Sequence, residues 1–290
     1  MKSSAVALGT FDGIHRGHRH IFSRLLREGK NNNLSTVIVA FESPVRPVTG
    51  ILSTPEEKIT LLSELPADEI ILLPNNSSII SQPANVFFHE FIRGRLNTRS
   101  FVVGEDFAFG HGRKGTVGWL TAMGRKNGVG IHVVSPVYAG HKVISSSRIR
   151  ELLHKGKIDD ANALLGGFYY IEGTPGRGRG IATKMGFPTI NINVPPEKLL
   201  PLGVYCAWVS SPGSAMLPAV VNIGARPTFF PEGSITMEAH ILNFNGTWPP
   251  GKTTLRLCRK LRNEKQFDSI QSLQAQIKKD TQKAAQFFKV

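Results

Sequence analysis

Cysteine, long hydrophobic runs and acidic side chains are scarce in this sequence of 290 residues. Two cysteines in a chain of this length exclude a small disulfide scaffold; Cys206 and Cys258 have no metal-ligand spacing, and we expect buried thiols. No segment reaches the roughly 18 uninterrupted apolar residues that a membrane helix needs. The apolar stretch near the amino terminus is too brief for a signal peptide, so we expect a cytoplasmic protein.

The scarcity of acidic residues makes the chain strongly basic. There are 35 Lys and Arg against 21 Asp and Glu, which gives a net charge of +14. Such a surface attracts anions. No run of basic residues and no alternation of basic with aromatic residues indicates nucleic-acid binding, and we expect neither a nucleic-acid nor a membrane partner. Nucleotide phosphates are a sufficient partner, and a merely solubilising surface charge explains the balance equally well.

The first half of the chain alternates β-branched apolar runs with amphipathic stretches, which predicts a parallel sheet built from βαβ units. Thr54, Pro55 and Glu57 form the clearest helix start, because they combine a cap, a proline at the first helical position and a capping box. The predicted strands are Ala5–Leu8, Thr36–Phe41, Glu69–Leu73, Phe101–Val103 and Gly130–Val134, and the predicted helices lie near Gly17–Glu28, Thr54–Leu65, Ala84–Gly94 and Thr116–Lys126.

The second half has a different pattern of apolar and polar residues. Short alternating runs separated by Gly and Pro predict a small antiparallel β-barrel. A helix beginning within Ser145–Ser147 and a linker helix precede it, and Asp268 is predicted to cap a final helix. We therefore predict two domains, residues 1–165 and residues 166–290.

The segment GTFDGIHRGHRHIF lies between the first strand and the first helix. The carboxyl end of a parallel strand is where α/β sheets bind ligands, and the helix amino terminus offers N–H groups to phosphate. Gly9, Gly13 and Gly17 permit close backbone approach, and His15 and His18 can face one phosphate. Two histidines beside a helix are more often structural, but this context favours a phosphate site.

A second candidate is ISSSRIRELL, at the start of a later helix. The serines are first of all caps. Arg148 and Arg150 in the first turn oppose the helix dipole, and a bound anion would explain them.

Two segments of the second half also suggest phosphate chemistry. The loop GTPGRGRGIATKMGF carries Arg177, Arg179 and Lys184 among glycines, which can wrap a polyphosphate or form a flexible basic surface. Thr189 and Asn191 alternate along an extended strand, and their oxygens suit Mg²⁺ or merely decorate a polar face. Glu238, in another alternating strand, could accept a proton from an attacking hydroxyl.

Taken in order, these motifs resemble bifunctional riboflavin kinase/FAD synthetases of prokaryotes. The first half carries the HxGH-type loop, LSTPEEK, VVGEDFAFG and ISSSRIRELL; the second carries GFPTIN, GVYCAWV, VVNIGARPTF, MEAHILNF and LRNEKQFDS. The resemblance implies a Rossmann-like nucleotidylyltransferase domain followed by a riboflavin kinase barrel. It also implies Mg²⁺, phosphorylation of riboflavin to FMN by ATP, and adenylylation of FMN to FAD with release of pyrophosphate. The sequence leaves self-association open.

The resemblance also implies roles for particular residues. In the first domain, the catalytic residues would be His15, His18 and Arg150; Gly9, Phe11, Gly17, Ser146 and Ser147 would bind nucleotide; and Asp106 and Phe107 would line the flavin pocket. In the second, Glu238 would be the general base, Thr189 and Asn191 would hold Mg²⁺, and Arg177, Arg179 and Lys184 would bind phosphate.

The chain departs from the family pattern at three places. The family usually has F-(D/E)-P-H-P after the second strand, whereas here Val45 follows Ser43-Pro44 and no histidine is present. Ala182-Thr183 stands where Gly-Arg is frequent, and NFNGTWPPG replaces another turn motif. Three alternatives stay open. The departures leave room for one inactive site, an adenylyltransferase for another substrate would explain the first domain alone, and a regulatory protein that binds flavin or nucleic acid is supported only by the net charge of +14.

Overall fold

The computed structural model describes residues 2–75, 81–176, 186–225 and 235–290. Its contacts divide the chain into two compact units, residues 1–146 and residues 147–290. The predicted functional boundary after residue 165 stays a prediction, and the contacts group the two helices that precede it with the second unit.

The first unit is built on a five-stranded parallel sheet. The described part of this unit contains the strands β1 (Ser4–Gly9), β2 (Ser35–Phe41), β3 (Glu69–Leu73), β4 (Thr98–Gly104), β5 (Ala108–Phe109), β6 (Gly115–Thr116), β7 (Gly130–Val134), β8 (Tyr138–Ala139) and β9 (Lys142–Val143). The sheet order is β3-β2-β1-β4-β7, and β5–β6 and β8–β9 are separate small hairpins. The five predicted strands are confirmed. The order reverses between β1 and β4, which makes their carboxyl ends the expected ligand crevice.

Helices cover both faces of this sheet. They are α1 (Arg16–Asn32), α2 (Pro55–Ser63), α3 (Ala84–Val86) with a π-helical continuation (Phe87–Arg95), and α4 (Val117–Asn127). Successive strand residues point to opposite faces: Val6 of β1 belongs to the cluster of Phe88, and Ala5 to that of Phe22 in α1. The sheet is therefore buried on both sides, as its uninterrupted apolar strands require.

The α2 helix begins as its sequence predicts. The Thr54 hydroxyl accepts a hydrogen bond from the Glu57 N–H at 3.2 Å, and the Glu57 carboxylate accepts one from the Thr54 N–H at 3.0 Å. The predicted capping box is confirmed. The predicted helix at 84–94 is helical too, but largely of the π type: the Leu96 N–H donates to the carbonyl of Phe91, five residues earlier, at 3.0 Å.

The second unit contains a closed antiparallel barrel of six strands. The elements are α5 (Ser146–His154), α6 (Ile158–Leu165), β10 (Tyr169–Gly176), β11 (Ile190–Asn193), β12 (Gly203–Ser210), β13 (Leu217–Ala225), β14 (Ile235–Ile241), β15 (Thr253–Arg262) and α7 (Ile270–Phe288). The strand order around the barrel is β10-β11-β14-β13-β12-β15, and β15 pairs with β10 to close it. The predicted antiparallel barrel is confirmed.

One side chain binds α6 to the barrel. The Asn162 amide donates to the carbonyls of Leu257 and Cys258 at 2.9 and 3.2 Å, and its oxygen accepts from the Tyr169 N–H at 2.8 Å. All three hydrogen-bonding partners of this side chain lie on strands β10 and β15, so α6 is part of the barrel's own packing.

The final helix corrects one prediction. The cap of α7 is Ser269, whose hydroxyl accepts from the Ser272 N–H at 3.2 Å, and not Asp268, which is exposed. The two residues are adjacent and both are good caps, so the sequence did not separate them. The carboxyl end of α7 packs over Cys206 and Cys258. Burial raises the pKa of these thiols to about 11 and about 12, and the predicted buried thiols are confirmed.

Within the described ranges, no helix has both the length and the apolar character needed to cross a membrane.

Candidate active sites

The first candidate site begins where β1 ends. The loop from Thr10 to His15 turns sharply: Phe11, Gly13 and Ile14 have φ values of 48°, 81° and 42°. Such left-handed backbone is uncommon outside glycine and marks a loop whose shape is imposed by its surroundings. It delivers His15 to the amino terminus of α1, at the carboxyl edge of the sheet.

Gly9 and Phe11, which were predicted to bind nucleotide, determine the shape of this loop from its buried side. Phe11 is only 2% exposed, and its ring contacts the rings of Phe22 and His18 with centroids 4.7 and 5.3 Å apart. A Cβ on Gly9 would lie 2.8 Å from the Phe11 ring, so glycine is needed for the ring to fold back over the strand end. The structure thus places Phe11 in the core, supporting His18.

The two predicted catalytic histidines are stacked on each other. Their ring centroids are 3.6 Å apart with an interplanar angle of 20°. His15 is the cap of α1, and its Nδ1 accepts a hydrogen bond from the His18 N–H at 3.4 Å. A Cβ on Gly17 would lie 3.0 Å from the His15 ring, so this glycine leaves room for the stack.

Both imidazoles are neutral at neutral pH. Burial lowers the pKa of His15 to about 4, although the nearby Asp12 carboxylate favours the charged form. Burial also lowers the pKa of His18, and the neighbouring His15 and Lys58 lower it further. The Nδ1 atom of His18 is buried and has no hydrogen-bond partner within the described residues. A bound anion would supply the charge and the acceptor that this pair lacks.

Sequence reasoning missed Asp12, a residue that holds this loop in place. It is 1% exposed, and its carboxylate accepts hydrogen bonds from the N–H groups of Leu52 and Ser53, each at 3.0 Å. The Ser53 hydroxyl in turn accepts from the Gly13 N–H at 3.0 Å. Asp12 therefore joins the loop from Thr10 to His15 to the segment that leads into α2. Its position inside the histidine motif was the available signal.

Lys58 of α2 is a second missed residue. It is fully buried, and its ammonium donates to the carbonyls of Thr10 at 2.8 Å, Glu42 at 3.2 Å and Phe41. Lys58 lies four residues before the buried Leu62, on the helix face that packs into the core. A lysine at a core-facing helical position was the signal for this role.

The predicted residues of α5 have different surroundings. Ser146 is the last residue of the first unit, and its hydroxyl donates to the carbonyl of Asp12 at 2.8 Å, within the loop from Thr10 to His15. Ser147 is exposed and Arg150 is buried, on the turns that follow.

Asp106 and Phe107 lie in the loop after β4, the strand that pairs with β1. The Asp106 side chain is exposed, and its carbonyl accepts from the Arg113 guanidinium at 3.2 Å. The half-buried Phe107 ring lies 5.6 Å from that of Phe109 and 6.0 Å from that of Phe101. The loops after β1 and β4 thus flank the reversal in strand order.

In the second unit, strand register brings together two predicted residues that are far apart in sequence. Asn191 of β11 is directly opposite Glu238 of β14, and Glu238 is opposite Asn222 of β13. The neighbours Met237 and Ala239 are buried in the barrel, so the half-buried Glu238 points to the other face. A carboxylate therefore lies in one row between two amides. Asn222 was missed, although its alternation within VVNIG was a signal.

His240 positions the segment that precedes β11. Its Nδ1 donates to the carbonyl of Pro188 at 2.8 Å, and its ring lies 5.6 Å from that of Phe187. Thr189 follows directly and is half-buried. The predicted phosphate-binding residues Arg177, Arg179 and Lys184, and the departure at Ala182-Thr183, lie outside the described residues.

Comparison with known proteins gives consistent results. The FAD synthetase family model matches residues 1–148, and the riboflavin kinase family model matches residues 165–288. A bifunctional riboflavin kinase/FMN adenylyltransferase from Buchnera aphidicola subsp. Schizaphis graminum is 34% identical, covering 99% of this chain and 94% of its own. The protein of the same description from Escherichia coli K12 is 30% identical, covering 98% and 92%. A crystal structure named as a macrolide-efflux protein from Streptococcus pneumoniae aligns with a TM-score of 0.85 and 26% identity, over 97% of this chain and 94% of that one.

Proposed function

The chain belongs to the bifunctional riboflavin kinase/FMN adenylyltransferase family, and we propose that it converts riboflavin to FMN and FMN to FAD at two separate sites. The observation that carries this proposal is that each unit has its own set of polar groups suited to one reaction. The stacked pair His15–His18 serves adenylyl transfer, and the Asn191–Glu238 row serves the kinase reaction.

In adenylyl transfer, a phosphate oxygen of FMN attacks the α-phosphorus of ATP, and the bond to the β-phosphate oxygen breaks to release pyrophosphate. Because His15 Nδ1 accepts a hydrogen bond, the proton of the neutral ring is on Nε2, which can donate to a phosphate oxygen. His18 contributes a second neutral ring. The negative charge that develops on the phosphate oxygens in the transition state would favour protonation of this ring. No covalent intermediate with the enzyme is needed.

Further residues of the predicted adenylyltransferase domain, 1–165, have binding roles in the proposal. The N–H groups around Gly9 and Gly17 and the hydroxyls of Ser146 and Ser147 bind ATP phosphates, while Arg150 compensates their charge. Asp106 and Phe107, in the neighbouring loop, contact the flavin, Phe107 through its ring.

In the kinase reaction, Glu238 accepts the proton of the riboflavin 5′-hydroxyl as that oxygen attacks the γ-phosphorus of ATP. The bond between the γ-phosphorus and the bridging oxygen of ADP breaks, and ADP leaves with the electrons of that bond. Arg177, Arg179 and Lys184 bind the phosphates in this proposal.

Mg²⁺ fits the oxygen donors of the second unit. The Asn191 amide lies opposite the Glu238 carboxylate in the strand register, and Thr189 adds a hydroxyl two residues earlier. These are hard oxygen ligands of the kind that Mg²⁺ binds together with waters and substrate phosphates. When bound, the ion neutralises phosphate charge; Thr189 and Asn191 would hold it.

The remaining parts of the proposal rest on the sequence. The adenylyltransferase corresponds to residues 1–165 and the kinase to residues 166–290, the partners are small molecules, and the protein acts in the cytoplasm. The alternative of a single active site rests on two departures, the absent histidine near Val45 and the Ala182-Thr183 pair.

The test is a time course with riboflavin, ATP and Mg²⁺, in which the flavins are separated by chromatography. FMN that appears before FAD supports two working sites. FMN alone, together with no FAD from supplied FMN and ATP, would leave only the kinase. The absence of both products would overturn the proposal and favour a binding protein.

A further inference from the structure

The buried ammonium of Lys58 connects the ends of two adjacent strands. Its three hydrogen-bond acceptors are the carbonyls of Thr10, just after β1, and of Phe41 and Glu42, at the end of β2. An ammonium has three N–H donors, and the three carbonyls use all of them. The side chain therefore fixes the distance between the loop that carries the histidines and the loop that follows β2.

This arrangement carries an energetic cost that only a specific geometry can offset. A buried charge is unfavourable unless it is paired and hydrogen-bonded. Burial lowers the pKa of Lys58 to about 8, against the attraction of the Asp12 and Glu42 carboxylates. An apolar side chain at this core-facing position would fill the space without that cost, but it would remove the hydrogen bonds that the ammonium donates to three carbonyls.

Asp12 and Lys58 hold the loop between β1 and α1 from two sides. Asp12 accepts hydrogen bonds from Leu52 and Ser53, immediately before α2. Lys58 reaches back from within α2 to Thr10, two residues before Asp12. The helix α2 is therefore attached to the loop at both its amino terminus and its buried face.

We propose that Lys58 is a positioning residue for adenylyl transfer, whose ammonium holds the loop between β1 and α1 in the shape that presents His15 and His18 to ATP. Lys58 acts through the backbone of Thr10 and not by touching the substrate. This inference rests on the proposed synthesis of FAD. A displacement of about 1 Å at reacting groups can lower a rate by up to about a hundredfold.

The experiment uses the full chain with Lys58→Met, which keeps the length of the side chain and removes its donors. With FMN and ATP supplied, we expect the kcat for FAD formation to fall about tenfold or more, with the KM for ATP changed less than about threefold. Conversion of riboflavin to FMN should change less than about twofold, because it takes place in the other unit. Both rates are measured well below the melting temperature, on protein shown to be folded by circular dichroism.

Lys198 provides a matched control. It is also buried, and its ammonium donates to the carbonyl of Tyr170 at 2.7 Å, but it lies in the second unit. Lys198→Met should leave FAD formation from FMN within about twofold of the original chain. If the removal of any buried lysine lowered FAD formation, the rate would fall in both variants alike.

Chemical rescue distinguishes positioning from stability. In Lys58→Ala, propylammonium should restore FAD formation by about threefold or more, whereas tetramethylammonium, which has no N–H donor, should not. Lys58→Gln, whose shorter side chain keeps two donors, serves if the other variants do not fold, with a smaller loss of kcat expected.

The inference is overturned if folded Lys58 variants form FAD at the original rate, if both activities fall in the same proportion, or if propylammonium has no effect. If the unaltered chain makes no FAD, the proposed function fails and this inference fails with it. If the unaltered chain makes FAD and the variants do so equally well, only the inference fails.

Discussion

The two candidate sites are held in place by different kinds of structure. In the first unit, the functional histidines lie on a loop and a helix end, and side chains such as Asp12 and Lys58 fix the loop through hydrogen bonds to its backbone and that of its neighbours. In the second unit, Asn191 and Glu238 are held by the strand register itself. A site on a loop depends on distant supporting side chains, whereas a site on a barrel ladder depends mainly on the residues that bear the chemistry.

The largest expected effect separates the two sites. His18→Ala should lower FAD formation from FMN about a hundredfold and leave FMN formation unchanged, and Asn191→Ala should do the reverse. Both rates are measured by chromatography of the flavins. If either substitution abolished both reactions in folded protein, the assignment of two sites would be wrong.

Asp12→Asn tests whether the first site depends on support. The amide keeps an acceptor oxygen but loses charge, so we expect about a tenfold loss of FAD formation and about 1–3 kcal/mol of destabilisation in urea unfolding. Asp268→Asn, on an exposed residue that does not cap α7, is the control and should be neutral for both. Full activity in Asp12→Asn would contradict a supporting role.

Gly17→Ala tests the histidine stack with a single methyl group. Its Cβ would lie 3.0 Å from the His15 ring, so FAD formation should fall several-fold, by roughly 1 kcal/mol in activation free energy. A Cβ on Gly118, in α4, would meet no other atom within 4 Å. Gly118→Ala should therefore retain activity and stabilise that helix by about 0.5–1 kcal/mol. Equal rates for the two variants would argue against a tightly packed stack.

The last prediction concerns pH and changes only the stability. The folded pKa of His15 is about 4, below its usual value of 6.5, so the folded state resists protonation. Stability is complete above pH 6.5 and declines as the pH falls toward 4, by about 1–2 kcal/mol at pH 5. Urea unfolding of the first unit at pH 7 and pH 5 measures this decline. Burial also lowers the pKa of His18, which contributes to the decline in the same direction. His15→Gln should therefore reduce the decline without abolishing it, and an unchanged slope in that variant would assign the titration to other groups.

Local patterns were sufficient for most of the fold. The capping box at Thr54 and the apolar strands were predictable because their causes lie within a few residues of sequence. The π-helical turns at Phe87–Arg95 were not, since the apolar spacing there also fits an ordinary helix. The choice of Ser269 over Asp268 depends on backbone angles that neither residue type determines.

The sequence predicted the residues that bear the chemistry of the sites but not the residues that hold them in place. His15, His18 and Gly17 form one short motif, and the structure brings them into contact. Lys58 and Asp12 act on backbone groups about 16–48 residues away, a relation that only the folded sheet creates. Asn222 was missed for the same reason, because only the pairing of β13 with β14 places it opposite Glu238.

The attachment of α6 to the barrel has a practical consequence for separating the two activities. A kinase fragment that begins at residue 166 would lack Asn162, leaving the Leu257 and Cys258 carbonyls and the Tyr169 N–H without its amide as their partner. A fragment that begins at residue 147 would keep it. A recombinant kinase fragment should therefore begin before α6, so that the barrel keeps Asn162, whereas an adenylyltransferase fragment must extend through Arg150 to keep its proposed ATP-binding residues.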